Sequence, residues 1–153
     1  IGSSLVGSEM CIRDSQATPL IFKNGNTSSF QLLSYAGALM NFSMDVGNEI
    51  IYRELVGGTK EVLLTDRAAN GSITIEAPTI AQKDYFAAAL TDSSLGNFTV
   101  THGSTAGNIC RFTSTKVDIG DVAYGEADGV TMLEIPYTLV PSSANDEMSL
   151  VFT

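Results

Sequence analysis

Leu133-Glu-Ile-Pro-Tyr-Thr-Leu139 is the stretch on which the fold turns. Leu133, Ile135, Tyr137 and Leu139 share one parity, and Glu134, Pro136 and Thr138 the other. Successive side chains of a strand point to opposite faces, so this parity describes a strand with one face on a core and one in water. Antiparallel sheets covered on a single side carry this pattern. Proline donates no ladder hydrogen bond, so Pro136 is expected at an open edge or a bulge.

Outward from that strand the same period recurs. Met40, Phe42, Met44 and Val46 alternate with Asn41, Ser43 and Asp45, and Glu49–Leu55 follows as a β-branched and aromatic run that Gly57-Gly58 breaks. Glu61–Thr65 and Ser72–Ala77 read as two strands joined across Asn70-Gly71, a dipeptide that tolerates positive φ and favours a hairpin turn. Asn97–Thr101 and Asn108–Thr113 flank a glycine-rich turn at 102–107. Ser114–Ile119, a polar loop through Asp128-Gly129, and a closing strand over Met148–Phe152 complete the pattern. One segment departs from it. Pro78 discourages a strand, Thr79-Ile-Ala-Gln82 matches a capping box, and the alanines that follow favour a helix over about Ile80–Leu90. Roughly nine strands and one flanking helix predict an α+β, mainly β fold of two packed antiparallel sheets, a sandwich or barrel.

Composition bounds what such a fold can do. With 153 residues, 44% of them apolar and 16% charged, the chain can bury one core and does not suit two. Eight Lys and Arg against seventeen Asp and Glu give a net charge of −9, and no basic run occurs. Binding to DNA or to an anionic membrane through clustered cations is thereby disfavoured. No run of about 18 apolar residues is present, which excludes a membrane-spanning helix. Cys11 and Cys110 could make at most one bridge, so this is no disulfide scaffold.

Residues 5–15, Leu-Val-Gly-Ser-Glu-Met-Cys-Ile-Arg-Asp-Ser, resemble the translation of a sequencing-library adapter. On that reading residues 1–15 are not native and the chain is expected to be a C-terminal piece of a longer protein. Without Glu9, Arg13 and Asp14, seven cations and fifteen acids remain, a balance of −8, and Cys110 stands alone. Residues 16–28, with Pro19, Gly25 and several amides and hydroxyls, read as a linker, and 29–153 as the β domain.

Catalytic chemistry is thin. His102 is the only histidine, and base catalysis through it would need an orienting acid and a nucleophile beside it. Cys110, at a strand position next to Arg111, reads as a small packing residue. Asp118, Asp121, Glu126 and Asp128 invite comparison with a calcium loop, but their spacing does not match an EF-hand. The turn at 102–107 lacks the Gly-Lys-Ser/Thr of a phosphate loop. No catalytic, cofactor-binding or metal residue is therefore assigned, and a structural or binding role is expected rather than an enzyme.

Several stretches together resemble the tail tube proteins of long-tailed bacteriophages. They are Phe42–Asn48, Tyr52–Gly58, Leu64–Ala69, Gly71–Pro78, Lys83–Phe86, Thr101–Asn108, Asp128-Gly129 and Pro141–Met148, and the likeness covers about Thr18 to Thr153. The resemblance implies two packed sheets with one flanking helix, in subunits that close into rings and stack into a hollow tube. In the most similar version the subunit carries two such domains, this chain being like the C-terminal one. Three subunits would then make a pseudo-sixfold ring, whereas single-domain relatives use six. Implied partners are further copies of itself, a tape measure protein, a tail terminator, and DNA that passes without specific binding; no membrane is implied. The implied place is the virion tail, assembled in the host cytoplasm. The loops Val56–Lys60 and Ile119–Gly129 are expected at contacts between rings. Two other readings stay open: a β-sandwich module that recognises carbohydrate on a tail or cell surface, which the absence of Trp disfavours, and the tube of a related secretion system.

Overall fold

A computed structural model describes residues 20–58, 60–91, 95–143 and 145–153. The adapter-like segment, Cys11 and the first part of the linker lie outside these residues. The strands are β1 (Thr27–Leu32), β2 (Leu39–Asp45), β3 (Asn48–Glu54), β4 (Lys60–Arg67), β5 (Asn70–Glu76), β6 (Gly96–His102), β7 (Cys110–Ile119), β8 (Ala123–Ala127), β9 (Val130–Leu139) and β10 (Ser149–Phe152). A short helix, α1 (Tyr85–Ala89), lies between β5 and β6. Among the described residues no helix is long and apolar enough to cross a membrane.

All strand pairs are antiparallel. The order is β1-β6-β7-β9-β5-β2, with β10 beside β7 and β8 beside β9, while β3 and β4 pair only with each other. The long strand β7 belongs to two ladders. Its first half lies between β6 and β10, and its last residues, Val117–Ile119, pair with Leu139–Tyr137 of β9. One half of the fold is thus β1-β6-β7-β10 and the other β2-β5-β9-β8, joined through β7.

The buried parity of β9 faces the core as its sequence requires: Leu133, Ile135, Tyr137 and Leu139 are all buried. Across the ladder, Ile73 and Ile75 of β5 sit opposite Ile135 and Leu133. The two halves meet on a cluster of aromatic rings. Phe98 of β6 lies 5.4 Å from Phe42, 5.2 Å from Phe112, 5.4 Å from Tyr137 and 6.1 Å from Phe30, each pair tilted 62–74°. Edge-to-face contact suits the ring quadrupole and adds to the area buried. Two phenols close the polar account of this core. Tyr137 Oη donates to the Ser43 carbonyl at 2.8 Å, and Tyr85 Oη to the Leu32 carbonyl at 3.3 Å. Burial pushes both phenols well above the ordinary tyrosine range, so they stay neutral donors.

Pro136 sits where the ladder allows it. On one side it pairs with Ser72, and on the other it falls between Glu134, the last partner of β8, and Tyr137, the first partner of β7. Its carbonyl is used in that gap by the Gly120 N–H at 2.8 Å.

Five expectations from the sequence are corrected. Asn70-Gly71 does not close a hairpin: it opens β5, which pairs with β2 and β9, while β4 turns back on β3. The helix does not begin at Ile80. Gln82 does reach back to the Thr79 N–H at 3.0 Å, as in a capping box, but the threonine hydroxyl donates to Gln82 Oε1 instead of capping a backbone N–H. Thr79–Gln82 is therefore a closed turn, and the helix starts beyond it, where Asp84 accepts from the Ala87 N–H at 2.9 Å. The polar stretch before Asp128-Gly129 contains β8. Both residues of that dipeptide have positive φ, 52° and 79°, and make a two-residue hairpin turn between Ala127 and Val130. Finally, Asn108–Thr113 and Ser114–Ile119 are not two strands: Cys110–Ile119 runs as one, and Thr27 and Ser28, read as linker, belong to β1.

Candidate assembly surface

The β3–β4 hairpin stands away from the core. Every residue of β3 is exposed, and only Glu61, Leu63 and Arg67 of β4 are partly covered. The register places Ile50 opposite Leu64 and Tyr52 opposite Val62 on one face. These four side chains are 56–69% exposed, and at the tip Leu55 and Val56 are open as well. On the other face Ile51 lies opposite Leu63 and Arg53 opposite Glu61. A two-stranded hairpin is marginal alone in water, and a contiguous exposed apolar patch marks a surface meant to be covered. Polar pairs stiffen it modestly: Lys60 Nζ lies 2.6 Å from Glu54 Oε1, Tyr52 Oη donates to Glu54 Oε2 at 3.1 Å, and Arg53 is 3.9 Å from Glu61. All are solvent-exposed, so each contributes little.

At its base the hairpin is fastened to the body. Arg67, the last residue of β4, pairs with Glu147, a buried carboxylate, and its Nη2 also donates to Asn145 Oδ1 at 3.0 Å. Ser114 of β7 donates to the Glu147 carbonyl at 2.7 Å, fixing the segment before β10 against the core. Nearby, the backbone N–H groups of Ser143 and Ser142 donate to Asp146 Oδ1 and hold its carboxyl below the usual range. Between this segment and β4 lies a cavity of about 450 Å³.

The other open features are strand edges. β1 and β2 are the two ends of the strand order although they are consecutive in the chain. Between them runs a groove of about 580 Å³ bordered by Asn24, Phe30, Leu39 and Met40. β10 pairs on one side only, and Leu150, Val151 and Phe152 are exposed on it. Unpaired strand edges invite another chain.

The residues weighed for chemistry are scattered. His102 ends β6. The Leu20 carbonyl, which only accepts, takes the Nε2 proton at 3.1 Å, while Nδ1 faces the Thr27 hydroxyl at 3.2 Å and Phe22 packs on the ring. It holds the approach to β1 in place, and no carboxylate orients the ring in these contacts. Cys110 is a partly buried free thiol. Asp118 lies on β7, Asp121 in the connection, Glu126 on β8 and Asp128 in the turn, and among the described residues no three ligating side chains gather. Of the two loops expected at contacts, the described residues of Val56–Lys60 lie at the hairpin tip, whereas Ile119–Gly129 is largely β8 and its turn. The apolar face of the hairpin was not anticipated. Its signal is that Ile50-Ile-Tyr52 and Val62-Leu-Leu64 are apolar on both parities, which a strand with one wet face does not need.

This is a two-sheet β sandwich with a protruding apolar hairpin and open edges, an architecture suited to self-association. No family model matches the chain, and no curated protein matches it. Among solved structures it is similar to the anti-feeding prophage cap, a tube-terminating cap, with a TM-score of 0.62 and 10% identity over 92% of this chain and 97% of that one. It also aligns with a chain in the tail of an empty GTA particle with C6 symmetry, with a TM-score of 0.42 and 19% identity over 87% of this chain and 99% of that one. The first likeness shows a shared fold.

Proposed function

We propose that the chain is a structural subunit of a bacteriophage tail tube, its residues 29–153 forming one tube-like domain of rings that stack around a passage for DNA. The observation that carries this reading is the β3–β4 hairpin, whose Ile50, Tyr52, Val62 and Leu64 are exposed on a body whose fold is that of a tube-terminating cap. An apolar projection on one subunit and a receiving surface elsewhere on the next make a heterologous contact, which propagates along an axis. Edges such as β1, β2 and β10 serve ring closure by pairing between neighbours. Three two-domain subunits or six single-domain ones would complete a ring, with a tape measure protein within and a terminator at the end.

Charge fits the passage. The strands β2, β5 and β9 contain no Lys or Arg, and their exposed parity carries Asn41, Ser43, Asp45, Ser72, Thr74, Glu76, Glu134 and Thr138. A wall without cations gives phosphate no counterion-releasing contact and keeps DNA moving.

The test is assembly of the purified chain, followed by light scattering and negative-stain microscopy. Rings and short tubes are expected, with V62E/L64E leaving rings that no longer stack. A monomer at high concentration, unaffected by V62E/L64E, would overturn the reading. In assembled particles, E76K/E134K should slow DNA ejection; unchanged kinetics would remove the wall from the proposal.

A further inference from the structure

The sequence holds two Asn-Gly dipeptides, Asn24-Gly25 and Asn70-Gly71. Glycine has no Cβ to obstruct its own amide, so Asn-Gly is the dipeptide most open to attack by the backbone nitrogen on the preceding side chain. That attack requires the backbone to leave its resting geometry, and the fold treats the two sites in opposite ways.

Gly71 is locked. It pairs with Met44 on one side and Tyr137 on the other, and a Cβ there would meet the Ser43 carbonyl oxygen at 2.1 Å. The Asn70 side chain is engaged too, its Nδ2 donating to the Ala68 carbonyl at 2.9 Å. Asn24 lies in an exposed turn closed by two bonds to the Lys23 carbonyl, from the N–H of Asn26 at 3.1 Å and of Thr27 at 3.0 Å. The turn adds one isolated bridge between Asn24 and Thr27, against the two full ladders that hold Gly71. Gly25 has φ +90°, and nothing lies within 4 Å of where its Cβ would be.

We propose that Asn24 is a site of spontaneous deamidation in the folded protein and that Asn70 is protected from it. Hydroxide takes the Gly25 amide proton, and the nitrogen attacks Asn24 Cγ. A C–N bond forms, the bond from Cγ to the side-chain nitrogen breaks, and that nitrogen leaves as ammonia with a proton from water. Water then opens the resulting succinimide at either carbonyl, giving aspartate or isoaspartate. No oxidant or reductant takes part.

The product has a place to act. Asn24 borders the groove between β1 and β2, so a neutral amide becomes a carboxylate beside two unpaired edges. Charge at an edge is a known means of preventing strand addition. An aged subunit is therefore poorer at pairing there. That consequence rests on the ring reading above, whereas the chemistry does not.

The test is to age the full chain in neutral and mildly alkaline buffer and map its peptides by mass spectrometry with isoaspartate detection. In the folded protein the Asn24 peptide should convert several-fold faster than the Asn70 peptide, and faster as pH rises. In guanidinium the two rates should converge. Equal rates in the folded protein, or a faster Asn70, would overturn the proposal. Asn24→Asp should assemble more slowly than the unmodified chain; equal assembly would refute the edge consequence and leave the chemistry intact.

Discussion

Gly71 shows how little room some single positions have. A methyl group there would press on the Ser43 carbonyl and also on the Tyr137 hydroxyl, 2.6 Å away, both of which belong to the bond that ties β9 to β2. Gly71→Ala should cost about 1–3 kcal/mol as overpacking, read as a lower urea midpoint with unchanged slope. The Arg67–Glu147 pair is the other sensitive spot. Arg67→Ala leaves a buried carboxylate without its cation and should cost about 3–5 kcal/mol. Adding Glu147→Gln to that variant should recover part of the loss, which a double-mutant cycle in urea would measure. Asp146 gives this segment a pH dependence. Its carboxylate accepts N–H bonds from Ser143 and Ser142 in the fold, so its folded pKa is depressed. The stabilisation is then complete above the ordinary aspartate range and is lost as pH falls through the folded value. Asp146→Ala should flatten the acid limb of a denaturation profile; an unaltered limb would show that other carboxylates set it.

At the scale of elements, the hairpin and the sandwich should behave as separate units. In the free subunit, amides of Ile50–Glu54 and Glu61–Leu64 are expected to exchange far faster than those of β9, because few buried contacts hold the hairpin. On assembly they should become protected. If they are equally slow in both states, the hairpin is not the covered surface. Legibility in the sequence follows the same division. β9 and β2 were readable because one core face imposes a strict period, and β8 could have been found from the Asp128-Gly129 turn. The failure at Asn70-Gly71 has a tertiary cause: β4 satisfies its ladder with β3, leaving β5 to pair with β2 and β9 over the core. The helix was overextended because Asp84 is a stronger N-cap in place than Thr79, whose hydroxyl is taken by Gln82. The candidate assembly surface is only half legible, since the loop at its tip carries turn residues while its apolar face looks like ordinary core sequence.

For the molecule as a whole, charge sets the conditions of self-association. A chain of net charge −9 repels its copies, and added salt screens that repulsion over a Debye length of about 10 Å at 0.1 M. If apolar and backbone contacts hold the rings, assembly should strengthen as salt rises through this range. Weakening with salt would show that ion pairs between copies dominate. The topology has a temporal consequence as well. β1 pairs only with β6, and the Thr27–His102 contact that anchors this pair spans 75 residues, whereas the hairpin closes within its own short stretch. During synthesis at about 5–20 residues per second, β1 waits several seconds for its partner while Ile50–Leu64 is already out. If the hairpin is the surface that neighbours cover, each nascent chain offers it before it has a finished body, and on crowded polysomes the order of synthesis itself becomes a hazard that holding chaperones would have to cover.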